Sequence, residues 1–471
     1  MYSPNYTGFF KLIMGGLLLL ATTPNQPIFA QSSAAAGFRV VSCKAVTKSG
    51  KALLLEQQVL GADGTIMRPV TAIPRGFTLE AAAQSGTRNL YLLRKTRGDT
   101  VVLLLTDSLG RTLQQPRHYL PKMGGDAKKL ALPRLFGLPG GRGFVFTYPA
   151  GKSARPILQI QALSPALSVL WQQQCMLTGI TAVEQIAASD THLWLVLKEY
   201  LALAMRPRIL SFRLATGEVE CNQALAPNDE LDATTVVPAG LLVLGTSDRR
   251  TSYVAPVEQL KTSGNRRDFA LLLGPTGKRN FGVGLGWPLS GRPAHYRWQS
   301  ACPLPDGGYQ LIGETYRNAP NTEAIALSML GVGVVAAGGF GVVPLGGYIN
   351  EQPVGLVSAQ LSTTGQLAAV HEIAVPEAMQ APDSKAVSNA FSQDFPNSFR
   401  FRGFSSNYHD VVLNTRRQVL AYSIATQQLR PLTSVRNATP TVLYIEADRV
   451  AISWSTKSAE TGSEFEQVAL P

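Results

Sequence analysis

A strand–turn–strand pattern that returns about every fifty residues limits this chain more than any other feature in it. "PDGGYQLIGET" (305–315) is a turn followed by a β-rich run. The same form appears in "QSGTRNLYLLR" (84–94), "PGGRGFVFTY" (139–148), "ASDTHLWLVL" (188–197), "PAGLLVLGT" (238–246) and "EADRVAISWST" (446–456). Each joins a polar or glycine-containing turn to an apolar, β-branched run. A short apolar segment lies just upstream, as in "TTVVP" and "TVLYI", so each stretch reads as a tight hairpin.

A second hairpin follows. "VVLLLTDSLGRTLQQPRHYLP" (101–121) has relatives at 157–174, 209–227, 269–288 and 355–376, with further copies at 411–429 and 40–60. Their turns centre near 50, 110, 165, 217, 277, 365 and 417. Two hairpins per period give four strands. Such a unit cannot bury both of its faces alone, so units stack. Inner strands are then covered on both sides, and runs such as Leu193–Leu197 need not alternate.

These turns and runs resemble the β-propeller superfamily, and within it the exported bacterial propeller-like proteins of unassigned function. The resemblance covers residues 38–471 as a single all-β domain and implies about seven four-stranded blades. A hairpin at 38–60 and another at 441–456 are expected to share one blade and close the ring. "NSFRFRGFSS" (397–406) reads as a degenerate first hairpin, and "FEQVAL" (465–470) as a spare strand. There is no Trp-Asp series and no Kelch double-glycine series. Gly307-Gly308 and Gly140-Gly141 are isolated, so no catalytic residue carries over from the resemblance.

Residues 1–30 have the form of a signal peptide: Lys11, the apolar run Leu12–Ala21, then "PIFA" ending at Ala30 before Gln31. Residues 31–37 read as a linker. The expected location is periplasmic, cell-surface or extracellular. Export permits disulfides among Cys43, Cys175, Cys221 and Cys302, in three pairings, and buried thiols are the other reading.

The formal net charge is +12 and the sequence pI about 9.6, which points to an anionic partner. The basic residues gather in the expected connections between second and third strands: Arg94, Lys95 and Arg97; Lys152 and Arg155; Arg206 and Arg208; Arg249, Arg250, Arg266 and Arg267. These residues form the expected basic face for an acidic glycan, a lipid head group or an acidic protein. There is no specific nucleic-acid motif, no metal-ligand spacing among the five His, no P-loop, no G-x-S-x-G elbow and no cofactor signature. His192 at a strand start reads as structural. Asp306 in a turn and Glu314 near the far end of a strand fall on opposite faces, which rejects them as a carboxylate pair. "NYHD" (407–410) reads as a hydrogen-bonded strand entry.

One segment stands apart. "AIALSMLGVGVVAAGGFGVVPLGGYI" (324–349) has 26 residues and no charge. Its seven glycines and Pro344 oppose a plain membrane helix, and it falls between two hairpins of one repeat, so it reads as an apolar insertion. The function expected from these features is binding or scaffolding. The alternative is a propeller-fold hydrolase or lyase acting on glycans, with site residues the sequence does not name.

Overall fold

The computed structural model describes residues 38–48, 52–61, 66–67, 70–73, 76–95, 100–115, 117–119, 133–152, 155–177, 180–200, 205–227, 229–248, 266–285, 295–320, 349–374, 400–415, 417–446, 448–455 and 464–470. Residues 1–37 and the apolar segment 324–348 lie outside these.

Among the described residues the chain forms eight antiparallel sheets, lettered A to H in chain order, with no α-helix. Sheet B holds Phe77–Ser85, Arg88–Lys95, Val101–Asp107 and Arg117–Tyr119; sheet C holds Arg134–Gly137, Phe144–Lys152, Arg155–Leu163 and Val169–Met176. Sheet D holds Ile180–Ala188, His192–Tyr200, Met205–Arg213 and Val219–Ala224; sheet E holds Glu230–Val237, Gly240–Asp248, Arg266–Leu273 and Arg279–Leu285. Sheet F holds His295–Pro303, Tyr309–Pro320, Ile349–Leu361 and Leu367–Ala374; sheet G holds Arg400–Phe404, Asp410–Asn414, Val419–Ser423 and Leu429–Pro431. Each of these six is a simple meander in which neighbours in sequence are neighbours in the sheet. The fold is a β-propeller.

The two end hairpins correct one expectation. Among the described residues they belong to separate sheets. In sheet A, Phe38–Lys48 pairs with Ala52–Gly61, whose other edge takes Ile66–Met67 and Val70–Ala72. In sheet H, Thr439–Ile445 pairs with Arg449–Ser455, whose other edge takes Glu464–Ala469. The strand that was spare in the sequence thus completes the C-terminal sheet. Each edge is filled by the next stretch of chain, because a short loop closes at less entropic cost than a connection between the ends. The repeat at 411–429 is also out of phase by one strand: it spans the second and third strands of sheet G, with Leu429 opening the fourth.

The chain divides into two compact units, the first carrying sheets A to C and the second sheets D to H. In the first, Leu90, Leu92 and Leu103 of sheet B pack with Phe144, Phe146 and Leu163 of sheet C. The opposite face of sheet B, with Tyr91, Leu93, Val102 and Leu104, packs with Ile73. In the second unit the same alternation runs through four interfaces. Leu241 and Val243 of sheet E face Trp194 and Val196 of sheet D. The intervening Leu242 and Leu244 face Trp298 and Leu311 of sheet F. Ile312 and Leu356 then meet Val411, Leu413 and Tyr422 of sheet G, and Val412 and Ala421 meet Val450, Ile452 and Trp454 of sheet H. Successive residues of one strand point to opposite faces, and both faces are covered. Each fully buried leucine contributes about 1.5–3 kcal/mol.

The outer hairpins repeat a turn whose last residue has positive φ. Gly277 (φ 77°) donates its N–H to Gly274 O at 2.9 Å, and Leu167 (φ 59°) donates to Ser164 O at 2.9 Å. A Cβ at Gly277 would lie 2.8 Å from Cys221 Sγ, on the fourth strand of the preceding sheet. Glycine there serves both the backbone conformation and the close approach of two blades.

Cys221 and Cys302 are buried free thiols. Burial pushes the Cys302 thiol up to about 12, so it is protonated and inert at neutral pH.

Candidate functional site at the first-strand edge

The basic residues singled out in the sequence lie mostly on strands, because the hairpins run further than the pattern suggests. Arg94 and Lys95 end the second strand of sheet B, and Arg94 Nε lies 3.4 Å from Glu80 Oε1. Lys152 ends the second strand of sheet C and Arg155 opens the third. Arg266 and Arg267 open the third strand of sheet E, opposite Asp248 and Ser247. Arg97, Arg249 and Arg250 lie outside the described residues.

Arg206 and Arg208 are not loop charges. Both hold Glu199, which is completely buried. Arg206 donates to Glu199 Oε2 from Nε at 2.9 Å and from Nη2 at 2.6 Å; Arg208 donates from Nη1 to Oε1 at 2.9 Å and from Nε to Asn222 Oδ1 at 2.7 Å. The hairpin register sets Glu199 opposite Arg206. Burial alone raises a carboxyl pKa, but here the hydrogen bonds and charges of the two guanidinium groups outweigh it and hold Glu199 below the usual carboxylate range.

His192 is bonded on both ring nitrogens, Nδ1 to Thr191 Oγ1 at 2.8 Å and Nε2 to Glu220 Oε2 at 2.9 Å. It is the structural residue expected from its place at the start of a strand. Asp306 caps its turn by accepting from Gly308 N at 2.9 Å, while Glu314 is buried further along the strand and accepts from Phe401 N at 2.8 Å. The two carboxylates serve different elements. Asn407 Oδ1 accepts from Ser405 Oγ at 2.6 Å and from His409 N at 3.1 Å, which builds the turn before Asp410.

The feature the sequence does not reveal is a recurring bulge in the first strand of the sheets. One residue leaves the ladder in sheets A, B, D, E, F, G and H: Val41, Glu80, Glu184, Asp232, Gln299, Arg402 and Leu443. A bulge re-aims its side chain and sharpens the local twist. In four of these sheets the bulged side chain meets one position of the second strand. Glu80 meets Arg94, and Glu184 meets Lys198 with Oε1 to Nζ at 3.3 Å. Gln299 Nε2 donates to Glu314 Oε2 at 3.4 Å, and Arg402 Nε donates to Asn414 Oδ1. In sheet E the register puts Thr246 at that position, opposite Glu230.

Asp232 therefore has a different environment. Its Oδ2 accepts from Trp298 N at 3.4 Å, on the first strand of the next sheet. The first strands of sheets D, E and F run side by side here: Gln185 Nε2 donates to Thr234 O at 3.0 Å, and Ala301 N donates to Thr235 Oγ1 at 3.3 Å. Burial is the main cause that pushes the Asp232 carboxyl up to about 7. The nearby charges of Asp268 and Glu230 add to this, while the Trp298 N–H and Arg297 act against it.

No protein-family model matches the sequence, and no curated protein matches it. Among solved structures the chain is similar to the periplasmic gluconolactonase PpgL of Pseudomonas aeruginosa, at 12% identity over 91% of this chain and 98% of that one, with a TM-score of 0.37. It is similar to BamB of Moraxella catarrhalis at 12% identity over 56% and 79% of the two chains, with a TM-score of 0.26. A prolyl endopeptidase matches at 12% identity over 83% of this chain, with a TM-score of 0.41; the chain spans 46% of that protein's length. The propeller here is defined by its own sheets and their packing.

Proposed function

We propose that this is an exported binding or scaffold protein that presents the ends of its second and third strands to an anionic partner: an acidic glycan, a lipid head group or an acidic protein. The reading is supported by one repeated placement. In sheets B, C, D and E, basic residues sit at the same end of the meander: Arg94 and Lys95, Lys152 and Arg155, Lys198 and Arg206, and Arg266 and Arg267. The net charge of +12 favours encounter with anions. Part of this charge is bound internally: Glu80 holds Arg94, Glu184 holds Lys198, and Glu199 holds Arg206 and Arg208. The other basic residues of this set, Lys95, Arg97, Lys152, Arg155, Arg249, Arg250, Arg266 and Arg267, are the ones proposed to meet the partner. The test is retention on heparin and on anionic vesicles at low salt, where exposed charges are least screened. Neutralising Arg249, Arg250, Arg266 and Arg267 together should weaken retention more than neutralising four scattered basic residues. Equal loss from both sets refutes a localised face.

A further inference from the structure

The fourth strand of each sheet forms its outer edge, and one of these strands differs from the rest. In sheets B, D, E, F and G it carries a charged residue: Arg117, Glu220, Arg279, Glu372 and Arg430. Charges on an edge deter other strands from pairing with it. In sheet C the fourth strand, "VLWQQQCM", runs for eight residues without one. It stands last in its sheet, so its outer edge has no strand partner among the described residues. Val169, Leu170 and Met176 on it are 50%, 55% and 66% exposed. The strand is long, uncharged and apolar at both ends, the form of edge most open to an added strand.

We propose that this strand pairs antiparallel with the same strand of a second copy of the chain, about a two-fold axis at Gln173. Outward from Gln173 the sequence reads the same by residue class in both directions. Gln172 and Gln174, Trp171 and Cys175, Leu170 and Met176, and Val169 and Leu177 stand at equal distances from it. A two-fold axis normal to a sheet keeps every side chain on its own face, so the symmetric pairing is centred on a residue. Centred on Gln173, it sets each of those pairs directly opposite across the two copies. Amide then meets amide and apolar meets apolar, the cross-strand pairs that stabilise a sheet. Gln172 Oε1 accepts from Gln161 Nε2 at 2.8 Å, which leaves the Gln172 amide nitrogen to donate to Gln174 of the second copy. Leu170 and Met176, exposed in one chain, cover each other in the pair. This palindrome favours a second copy over a foreign strand, which has no reason to match it. The net charge of +12 opposes the association of two copies, so salt should favour the dimer.

The test is sedimentation velocity of the full chain over a concentration series. One strand pair is a small interface, so a dimer with a Kd of roughly 10–100 μM is expected, tightening as salt is added. Anion binding by the basic strand ends weakens with salt, so the two readings fail separately. Gln173→Lys sets two like charges across the axis and should weaken the dimer about ten-fold. In a Cys175→Ser background, Gln173→Cys faces itself across the axis and should form an intermolecular disulfide on mild oxidation, because opposite residues of paired strands lie within disulfide reach. Val219→Cys, exposed on the fourth strand of sheet D, should not cross-link in the same background. A monomer throughout the series, which would reserve the edge for a foreign strand, overturns the proposal. So does a dimer that a folded Gln173→Lys leaves intact, or equal cross-linking of Gln173→Cys and Val219→Cys. The cross-linking pair decides the matter if Gln173→Lys does not fold.

Discussion

Two carboxylates in neighbouring sheets, Glu199 and Asp232, have opposite fates. Glu199 ends an apolar strand in sheet D and is fully buried, yet it is ionised because two arginines on the next strand hold both of its oxygens. Asp232 bulges from the first strand of sheet E with one long backbone hydrogen bond, and its carboxyl is pushed up to about 7. Burial raises both. What separates them is the cross-strand partner: a guanidinium pair in one case, a threonine hydroxyl position in the other. A buried carboxylate held by cations belongs to the fold as a charge, whereas a partly desolvated one without them holds its proton to higher pH.

The largest effect should come from breaking the satisfied member. Glu199→Ala leaves Arg206 and Arg208 facing each other in a largely buried hairpin and should cost about 3 kcal/mol, seen as a lower midpoint in denaturant unfolding. A loss under about 1 kcal/mol would mean that the arginines simply turn to water. Arg206→Met retains the Arg208 contact and should cost less, about 1–2 kcal/mol.

Asp232→Asn should act in the other direction and with a pH signature. The folded-state pKa is raised, so the unfolded chain ionises first as pH rises from its ordinary value of 3.8 toward about 7. Across that window the wild type loses stability on account of Asp232, and above it the full penalty stays. The asparagine variant should therefore gain on the wild type progressively over that window, in melts at matched pH. Glu199 and Glu220 have the opposite sign. Their folded pKa values are lowered, so their contribution is present above the unfolded value of 4.5 and is lost as pH falls through the folded one. The smallest effect belongs to an ordinary bulge pair. Glu184→Gln breaks a contact whose side chains are 36% and 29% exposed, and it should change stability by about 0.5 kcal/mol or less.

The meander was legible because local chemistry writes it. Asp306-Gly307-Gly308, Gly277 and Gly365 mark turns, and the runs between them are continuous because both faces are buried. The count and phase of the sheets were less so. The phase of sheet G is hidden because Arg417 and Gln418 imitate the turn of an outer hairpin, while the real outer turn ends at Gln427, a non-glycine with φ of 56°. The pairing of the end hairpins depends on which strand fills a free edge, and composition does not encode that. The place of His192 at a strand start is enough to mark it as structural, and both of its ring nitrogens are bonded. Arg206 and Arg208 carry a signal in the sequence: pairing the strand that ends at Tyr200 with the one that opens at Met205 puts Glu199 directly across from Arg206. Asp232 had none. "ELDATTVV" gives no sign of its bulge, and the gap at Thr246 becomes visible only when the sheets are compared rung by rung.

Burial with no cross-strand cation to offset it sets the protonation of Asp232, and this is tested most directly by carboxyl-carbon NMR of the full chain across a pH titration, with Glu199 as internal reference. The account predicts an Asp232 midpoint near 7 and a Glu199 resonance that stays ionised down to below its ordinary 4.5. In Thr246→Arg the Asp232 midpoint should fall into the ordinary carboxylate range. An Asp232 midpoint that already lies in that range in the wild type would contradict the account.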